Sequence, residues 1–168
     1  PFAMYHVDPD HKEREFLTLD ELTVMTEIKL EDPNMAFARD LFIFGCWTGI
    51  SFIDIKNLTE DNISMINGAP WIVSKRQKTG VPFQIKLMDI PMQIIGRYKA
   101  FRKGSHLFNI GNLDSINKRI KKVAAMCGIK KRVSFHVSRH SWAVLALEYG
   151  MPIESVSKIL GHTNITTT

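Results

Sequence analysis

Cysteine is scarce in this chain of 168 residues, and its scarcity excludes a disulfide-stabilised fold. The two cysteines, Cys46 and Cys127, stand in apolar surroundings and are expected to be buried and reduced. No uninterrupted apolar stretch approaches the roughly 20 residues of a membrane-spanning helix, and there is no signal peptide. Internal repeats and low-complexity segments are also lacking. We therefore expect one globular domain in the cytoplasm, with no membrane partner.

Acidic residues are scarce in the second part of the chain. Residues 62–168 hold 17 Lys and Arg but only 4 Asp and Glu, whereas residues 1–61 hold 5 and 13. From Lys118 to Arg132 there are seven basic residues and no acid. Such asymmetry is typical of a protein that binds a polyanion. A solvated helix face is the ordinary alternative for a basic run taken alone.

The spacing of apolar and turn residues predicts a mainly α-helical domain with a small antiparallel β-sheet, an α+β fold. Thr18 and Glu21 form a capping box that opens the first helix, which reaches about residue 29. Further helices are predicted near 34–47, 51–57, 91–101, 112–127, 135–149 and 152–160, and strands near 62–66, 70–76 and 81–87. Two turn signals separate the strands, Asn67-Gly68 and Thr79-Gly80.

The helix that begins near residue 135 carries an unusual group of cationic side chains. His136, Arg139 and His140 are three or four residues apart and can share one helix face. Ser134 is a suitable N-cap, so this face would lie at a helix N-terminus, where an anion is favoured. Arginine can hold a phosphate bidentately and histidine can exchange a proton. About twenty residues later, Leu160-Gly161-His162 supplies another imidazole.

Together these motifs, H-x-x-R-H on a helix and then L-G-H, resemble the catalytic domain of the tyrosine site-specific recombinases, the phage-type integrases. The similarity is greatest to integrases of conjugative transposons. Residues 48–55 look like the family's T-G-L-R-I-x-E-L box, and residues 71–80 look like the β-hairpin that carries its catalytic lysine. The resemblance covers residues 16–168 and leaves 1–15 as the end of a linker. It implies the tyrosine recombinase catalytic-domain fold.

The resemblance also implies an activity and roles for individual residues. The protein would cut and rejoin double-stranded DNA through a 3′-phosphotyrosine intermediate, with no metal and no other cofactor. Arg139 would clamp the phosphate oxygens, His136 would be the acid–base partner of the tyrosine, and His162 would donate to the phosphate. Lys78 would protonate the leaving oxygen, with Lys75 as the runner-up because the hairpin register is uncertain.

Other basic residues are predicted to bind the DNA backbone: Lys75, Lys118, Arg119, Lys121, Lys122, Lys130, Lys131 and Arg132. We expect the full-length protein to act as a tetramer in a synaptic complex, on the nucleoid of a bacterium. The 168-residue chain by itself is expected to be a monomer.

Two departures from the family pattern stand out. Ser51 occupies the place of the first phosphate-clamping arginine. Arg76 is the first candidate to substitute for it, because it lies two residues from Lys78 and alternate strand residues share a face, and Arg39 is the second. The family's tyrosine would fall about three residues beyond Thr168. Three tyrosines are present and none fits that place: Tyr5, Tyr98 and Tyr149. We therefore expect an inactive fragment that also lacks the family's N-terminal DNA-clamping domain.

Three alternatives remain open on the sequence. His136, His140 and His162 could hold zinc, although the glutamate of a zinc-protease motif is missing. His140 is otherwise expected to be a packing residue. A DNA-binding module without catalysis would be consistent with Ser51. A helix-turn-helix regulator is less favoured, because it would not explain the hairpin lysine or the L-G-H motif.

Overall fold

The computed structural model describes residues 14–162 and 165–168, so the predicted linker 1–15 lies almost wholly outside it. The described residues form seven α-helices and three β-strands, in the order α1 (Leu19–Glu27), α2 (Pro33–Thr48), α3 (Phe52–Lys56), β1 (Ile63–Ile66), β2 (Ala69–Lys75), β3 (Pro82–Lys86), α4 (Asp89–Tyr98), α5 (Leu113–Met126), α6 (Phe135–Glu148) and α7 (Ile153–Leu160). Within this part of the chain, no helix has the length and apolarity to cross a membrane. The predicted mainly α-helical domain with a small antiparallel sheet is confirmed.

Helix α2 lies at the centre of the domain, with α1, α4, α5 and α6 packed around it. It is buried from Ala38 to Cys46, as expected for a largely apolar helix at the centre of a domain. Asp32 caps its N-terminus by accepting a hydrogen bond from the Asn34 backbone (2.8 Å). At Gly45 a β-carbon would come within 2.5 Å of the Ser138 hydroxyl. Glycine there allows α6 to approach α2 closely.

The three strands form an antiparallel sheet in the order β1-β2-β3. Asn67 and Gly68 both have positive φ angles (50° and 75°), as a two-residue type I′ hairpin turn requires. In the second hairpin, Lys75 pairs with Pro82, and the next residue, Arg76, donates its backbone N–H to the Val81 carbonyl (2.8 Å). Strand β3 also contacts α7. The sheet therefore holds residues 76–80 next to the last helices of the domain.

Helix α4 begins two residues earlier than predicted. Its first residue is Asp89, and Pro91 occupies the third position rather than the first. Proline is tolerated there because the backbone N–H groups of a first helical turn have no partner within the helix. The predicted end near residue 101 is also corrected, because Lys99–Phe101 form a 3₁₀ turn.

Candidate active site

Side chains from four separate segments line one open depression, which we call the basic cleft. It lies where the N-terminal end of α3, the second hairpin, α6 and the C-terminal end of α7 meet. Its polar side chains are Ser51, Asp54, Arg76, Lys78, Thr79, His136, Arg139 and His162. Five of the eight are the basic residues for which the sequence predicted a common site, and Asp54 is the one acid.

Arg139 connects the two ends of the cleft. Its Nη1 donates to the Gly49 carbonyl (3.2 Å) and its Nη2 donates to the Leu160 carbonyl (2.8 Å). Burial, reinforced by the positive charge of Arg76, lowers the pKa of Arg139 to about 10, although Asp54 acts in the opposite direction. The guanidinium therefore stays charged at neutral pH. A guanidinium has five N–H donors, and three of those of Arg139 have no partner among the described residues.

The end of α7 supplies the anchors for two arginines. Gly161 has a φ angle of 70°, and the backbone N–H groups of Gly161 and His162 donate to the carbonyls of Lys158 and Ser157 (3.0 Å each). This pattern is a Schellman motif, in which the left-handed residue favours glycine. The helix ends there and exposes the carbonyls of residues 159 and 160, which then accept hydrogen bonds from Arg76 and Arg139.

Arg76 lies deep in the cleft and shares a carboxylate with Ser51. Its Nη1 is 3.1 Å from Asp54 Oδ2, its Nη2 donates to the Ile159 carbonyl, and its guanidinium carbon lies 4.0 Å from the centre of the Phe83 ring. The Ser51 hydroxyl donates to the same Asp54 oxygen (2.7 Å). Burial lowers the pKa of Arg76, while Asp54 opposes the shift. Ser51, at the position of the missing arginine, and Arg76, its proposed substitute, therefore both bind the Asp54 carboxylate.

The comparisons with known proteins agree with this geometry. The sequence pattern described as "Phage integrase family" matches residues 15–168, nearly the whole chain. The chain belongs to the phage integrase family. Its structure has the fold of a tyrosine recombinase catalytic domain.

Relatives in this family are similar over most of the chain. Tyrosine recombinase XerC of Natranaerobius thermophilus is 26% identical over 174 residues, covering 95% of this chain and 58% of the relative. XerC of Yersinia pestis is 24% identical over 163 residues, covering 90% and 52%. This integrase domain therefore spans about half the length of the curated relatives it matches.

Solved structures show the same fold. The XerA recombinase superimposes with a TM-score of 0.74 at 22% identity, covering 91% of this chain and 56% of that one. The Tn1549 transposon integrase in complex with circular intermediate DNA gives a TM-score of 0.71 at 18% identity, covering 96% and 63%.

Arg39 does not line the basic cleft, which removes it as a substitute for the missing arginine. Its Nη1 donates to three carbonyls at the C-terminal end of α1, and its Nε donates to Asp40 (2.6 Å). Asp40 also accepts hydrogen bonds from Arg97 (2.6 Å) and from the Tyr98 hydroxyl (2.7 Å). Burial and the bond to Asp40 raise the pKa of Tyr98. This buried cluster fastens α1 and α4 to α2.

The two hairpin lysines differ in position. Lys78 is exposed in the turn that follows β2 and lines the cleft. Lys75, the runner-up, is exposed at the end of β2 and is not among the residues that line it. The turn is fixed by two backbone hydrogen bonds, from Arg76 to Val81 and from Gly80 to Arg76 (2.7 Å). Lys78 is therefore the better placed of the two.

The histidines of this integrase domain lie in a strongly positive environment. The rings of His136 and His140 meet edge to face, with their centres 4.6 Å apart. Burial lowers the pKa of His140 to about 4, helped by His136 and by Arg14, and also lowers the pKa values of His136 and His162. In the described part of the chain, no three His, Cys, Asp or Glu residues are grouped as a metal site would require. The zinc alternative therefore has no support from the structure.

The helix that presents the first histidine is capped differently from the prediction. Ser134 is the N-cap residue of α6, but its side chain makes no capping hydrogen bond. The Phe135 backbone N–H instead donates to the Asn117 side-chain oxygen of α5 (2.7 Å). A side chain distant in sequence thus replaces the local cap, and it ties α6 to the basic helix α5.

The residues predicted to bind the DNA backbone fall into two groups. Six are exposed and accessible to a polyanion: Lys75, Lys118, Lys121, Lys122, Lys130 and Arg132. Lys131 is half-buried, pairs with Glu21 (2.7 Å) and donates to the Phe16 carbonyl (2.9 Å), so it fastens the segment before α1 instead. Arg119 is half-buried and donates to the Ser115 hydroxyl on its own helix (2.5 Å).

Three residues of the site were missed by sequence reasoning. Asp54 holds Arg76 in the cleft, Arg14 adds positive charge near the histidines, and Thr168 contacts the His162 ring. Asp54 could have been found from the sequence, because it lies in the box formed by residues 48–55, at the position of the family's glutamate. Arg14 and Thr168 lie outside the quoted motifs, so no sequence pattern indicated them.

Proposed function

We propose that this chain is the catalytic domain of a DNA integrase that cuts and rejoins double-stranded DNA through a 3′-phosphotyrosine intermediate. What carries the proposal is the meeting of Arg76, Lys78, His136, Arg139 and His162 in one cleft. A family relative of the same fold, the Tn1549 integrase, is described in complex with circular intermediate DNA. Double-stranded DNA is therefore the substrate that we expect for this domain.

The reaction needs positive charge more than any other contribution. A tyrosine oxygen attacks the phosphorus, the P–O5′ bond breaks, and the phosphate passes through a five-coordinate state with extra negative charge. Fixed donors at that point usually provide the largest catalytic effect. Arg139 has three free N–H groups for the non-bridging oxygens, and Arg76 adds a second positive charge beside it. His162 donates to the same phosphate.

Proton transfer falls to Lys78 and His136. In cleavage, His136 accepts the proton of the attacking tyrosine, and Lys78 gives a proton to the departing 5′ oxygen. In rejoining, the 5′ hydroxyl attacks and both transfers run backwards. The lowered pKa of His136 keeps its imidazole neutral near pH 7, as a base requires. We expect the nucleophilic tyrosine to follow Thr168 in the chain.

The working assembly follows from this chemistry. Strand exchange joins two DNA duplexes, each cut on both strands, so four catalytic domains are needed and we expect a tetramer. Its DNA substrate would place it on the bacterial nucleoid. The exposed lysines of α5 would follow the phosphate backbone beside the cleft.

The test is covalent capture by the full-length protein. A duplex that carries the element's attachment site and a nick beside the cleavage point traps the phosphotyrosine adduct, which is then visible on a denaturing gel. Arg139→Ala should reduce adduct formation by roughly 10²–10³ while DNA affinity changes little. DNA binding without any adduct in the wild type would contradict the proposal and favour the non-catalytic module.

A second arm tests Lys78. Lys78→Ala should cleave slowly on ordinary DNA and recover on DNA with a 5′-bridging sulfur, because a thiolate leaves without a proton. Lys86 provides the matched control, since it is an exposed lysine on β3 of the same hairpin. Lys86→Ala should behave as wild type on both substrates. If the sulfur substrate does not rescue Lys78→Ala, another group is the acid.

A further inference from the structure

The ring of His162 has a hydrogen-bond partner, which the described residues do not provide for the rings of His136 and His140. Its Nδ1 lies 2.8 Å from the Thr168 hydroxyl oxygen. Among the described residues, neither His136 nor His140 has a hydrogen bond to a ring nitrogen; they contact each other edge to face instead. His162 is thus the cleft histidine whose ring orientation is held by a second side chain.

Both members of this pair are fixed by the backbone. The His162 N–H donates to the Ser157 carbonyl within the Schellman motif (3.0 Å), which holds the residue against the end of α7. Residues 165–167 form a 3₁₀ turn, and the Thr168 N–H donates to the Ile165 carbonyl (2.9 Å). The chain therefore folds back and brings the Thr168 hydroxyl to the ring.

The chemistry of a neutral imidazole makes this contact consequential. Such a ring has one N–H donor and one bare nitrogen that can only accept. Burial and the charges of Arg139, Arg14 and Arg76 lower the pKa of His162, so its ring is neutral near pH 7. A neutral ring can help an anionic phosphate only if the nitrogen that faces it carries the proton. The hydrogen bond made by the other nitrogen decides which one does.

We propose that Thr168 is a positioning residue: its hydroxyl donates to Nδ1 of His162, which keeps the ring proton on Nε2 and directs the Nε2–H toward the phosphate. The part of this inference that concerns DNA rests on the proposed function. The part that concerns the ring is a property of the protein alone. If the Thr168 hydroxyl accepted a hydrogen bond from Nδ1–H instead, Nε2 would present a lone pair to the phosphate oxygen and repel it.

The experiment compares Thr168→Val, which keeps the shape and removes the hydroxyl, with Thr168→Ser, which keeps the hydroxyl. The full-length protein is labelled with ¹⁵N-histidine and titrated by NMR without DNA, and the His162 signals are assigned by their loss in His162→Gln. Because the hydroxyl stabilises the neutral ring, Thr168→Val should raise the pKa of His162 and move its Nδ1 signal toward that of a free nitrogen. Thr168→Ser should restore both values.

Thr23→Val provides the matched control. Thr23 is an exposed threonine on α1 whose hydroxyl bonds only to its own helix, at the Leu19 carbonyl (2.9 Å). This variant should leave the His162 signals unchanged. An unchanged His162 pKa and Nδ1 signal in Thr168→Val, or equal changes in the Val and Ser variants, would overturn the inference.

Cleavage provides the second reading. Thr168→Val should slow adduct formation by about 10- to 100-fold, by analogy with the loss of a group that orients a metal-ligating histidine, with DNA affinity nearly unchanged. Thr168→Ser should recover most of the rate. If the wild type forms no adduct while the NMR titration behaves as expected, the proposed function fails and the pairing of Thr168 with the His162 ring stands.

Discussion

Arg39 and Arg139 use the same side chain in two opposite ways. Each guanidinium donates to backbone carbonyls at the C-terminal end of a helix, Arg39 to α1 and Arg139 to α7. Arg39 also has the Asp40 carboxylate at 2.6 Å and lies in the interior. Arg139 has no carboxylate partner among the described residues and faces the open basic cleft. The carboxylate therefore separates an arginine that fastens the fold from one that keeps its charge for a ligand.

Arg76 is intermediate between the two. Like Arg39 it has a buried carboxylate partner, Asp54, and like Arg139 it lines the cleft and bonds to the end of α7. Its Nε–H is buried with no acceptor in the described part of the chain. Arg76 thus combines a structural role with a positive charge beside Arg139.

The largest expected effect is the loss of stability on removing Arg39, the buried arginine. Arg39→Met should lower the free energy of unfolding by about 3–5 kcal/mol, because the Asp40 charge loses a partner inside the protein. The α1 carbonyls lose their donor as well. Chemical denaturation measures this change, with Lys121→Met on the exposed face of α5 as the control. Arg139→Met should cost much less stability, and equal losses for the two arginines would contradict the distinction.

The intermediate position of Arg76 can be tested through cleavage. Arg76→Ala should slow adduct formation by roughly 10²–10³, the usual cost of one fixed donor at a reacting oxyanion. Adding Ser51→Arg should recover part of this loss, because the new guanidinium can reach the vacated Asp54. In the wild type, Ser51→Arg should give no gain, since two guanidiniums would then compete for one carboxylate. Wild-type rates in Arg76→Ala would remove Arg76 from the mechanism.

The same distinction between paired and unpaired charges applies to the lysines. Replacing Lys121 and Lys122 by Gln should weaken binding to all DNA sequences and reduce the salt dependence of log Kd by about 2, because two phosphate contacts are lost. Lys131→Gln should leave this slope unchanged, since Lys131 is paired with Glu21. Fluorescence anisotropy over a salt series measures both. An unchanged slope in the double variant would make α5 an ordinary solvated face.

The smallest expected effect is on the pKa values of the cleft histidines, which respond to the unpaired charge of Arg139. The charge of Arg139 contributes to the lowered pKa values of His136 and His162, although burial is the larger cause for both. Arg139→Met should therefore raise both pKa values, whereas Arg39→Met should leave them unchanged. A histidine NMR titration of the two variants makes the comparison. If the two variants shifted His136 equally, the field in the cleft would not come from Arg139.

Local patterns predicted most of the fold, and the family resemblance indicated the main cationic residues of the cleft. The capping box at Thr18 and the turn at Asn67-Gly68 are confirmed, because each is decided by a few neighbouring residues. The helix and strand positions follow from apolar spacing in the same way. Helix α4 was placed less well, since proline in a first turn does not specify which of its positions it occupies.

What the sequence could not predict are contacts between distant segments. The partners of Arg39 and Arg76 lie on elements whose packing no local pattern specifies, so the sequence ranked Arg76 above Arg39 but could not exclude Arg39. The prediction that the Ser134 side chain caps α6 was wrong for the same reason, because the Asn117 side chain reaches the Phe135 backbone N–H from another helix. Charge counts likewise could not separate Lys131, which is paired, from the free lysines of α5.

The end of α7 also couples the positions of three side chains in the cleft. Arg76 and Arg139 are far apart in the chain, yet each bonds to one of two consecutive carbonyls, those of Ile159 and Leu160. A displacement of this helix end would pull on both guanidiniums simultaneously and would carry His162 with it. The position of one short helix would therefore move two cations and a histidine together, although distant parts of the chain supply them.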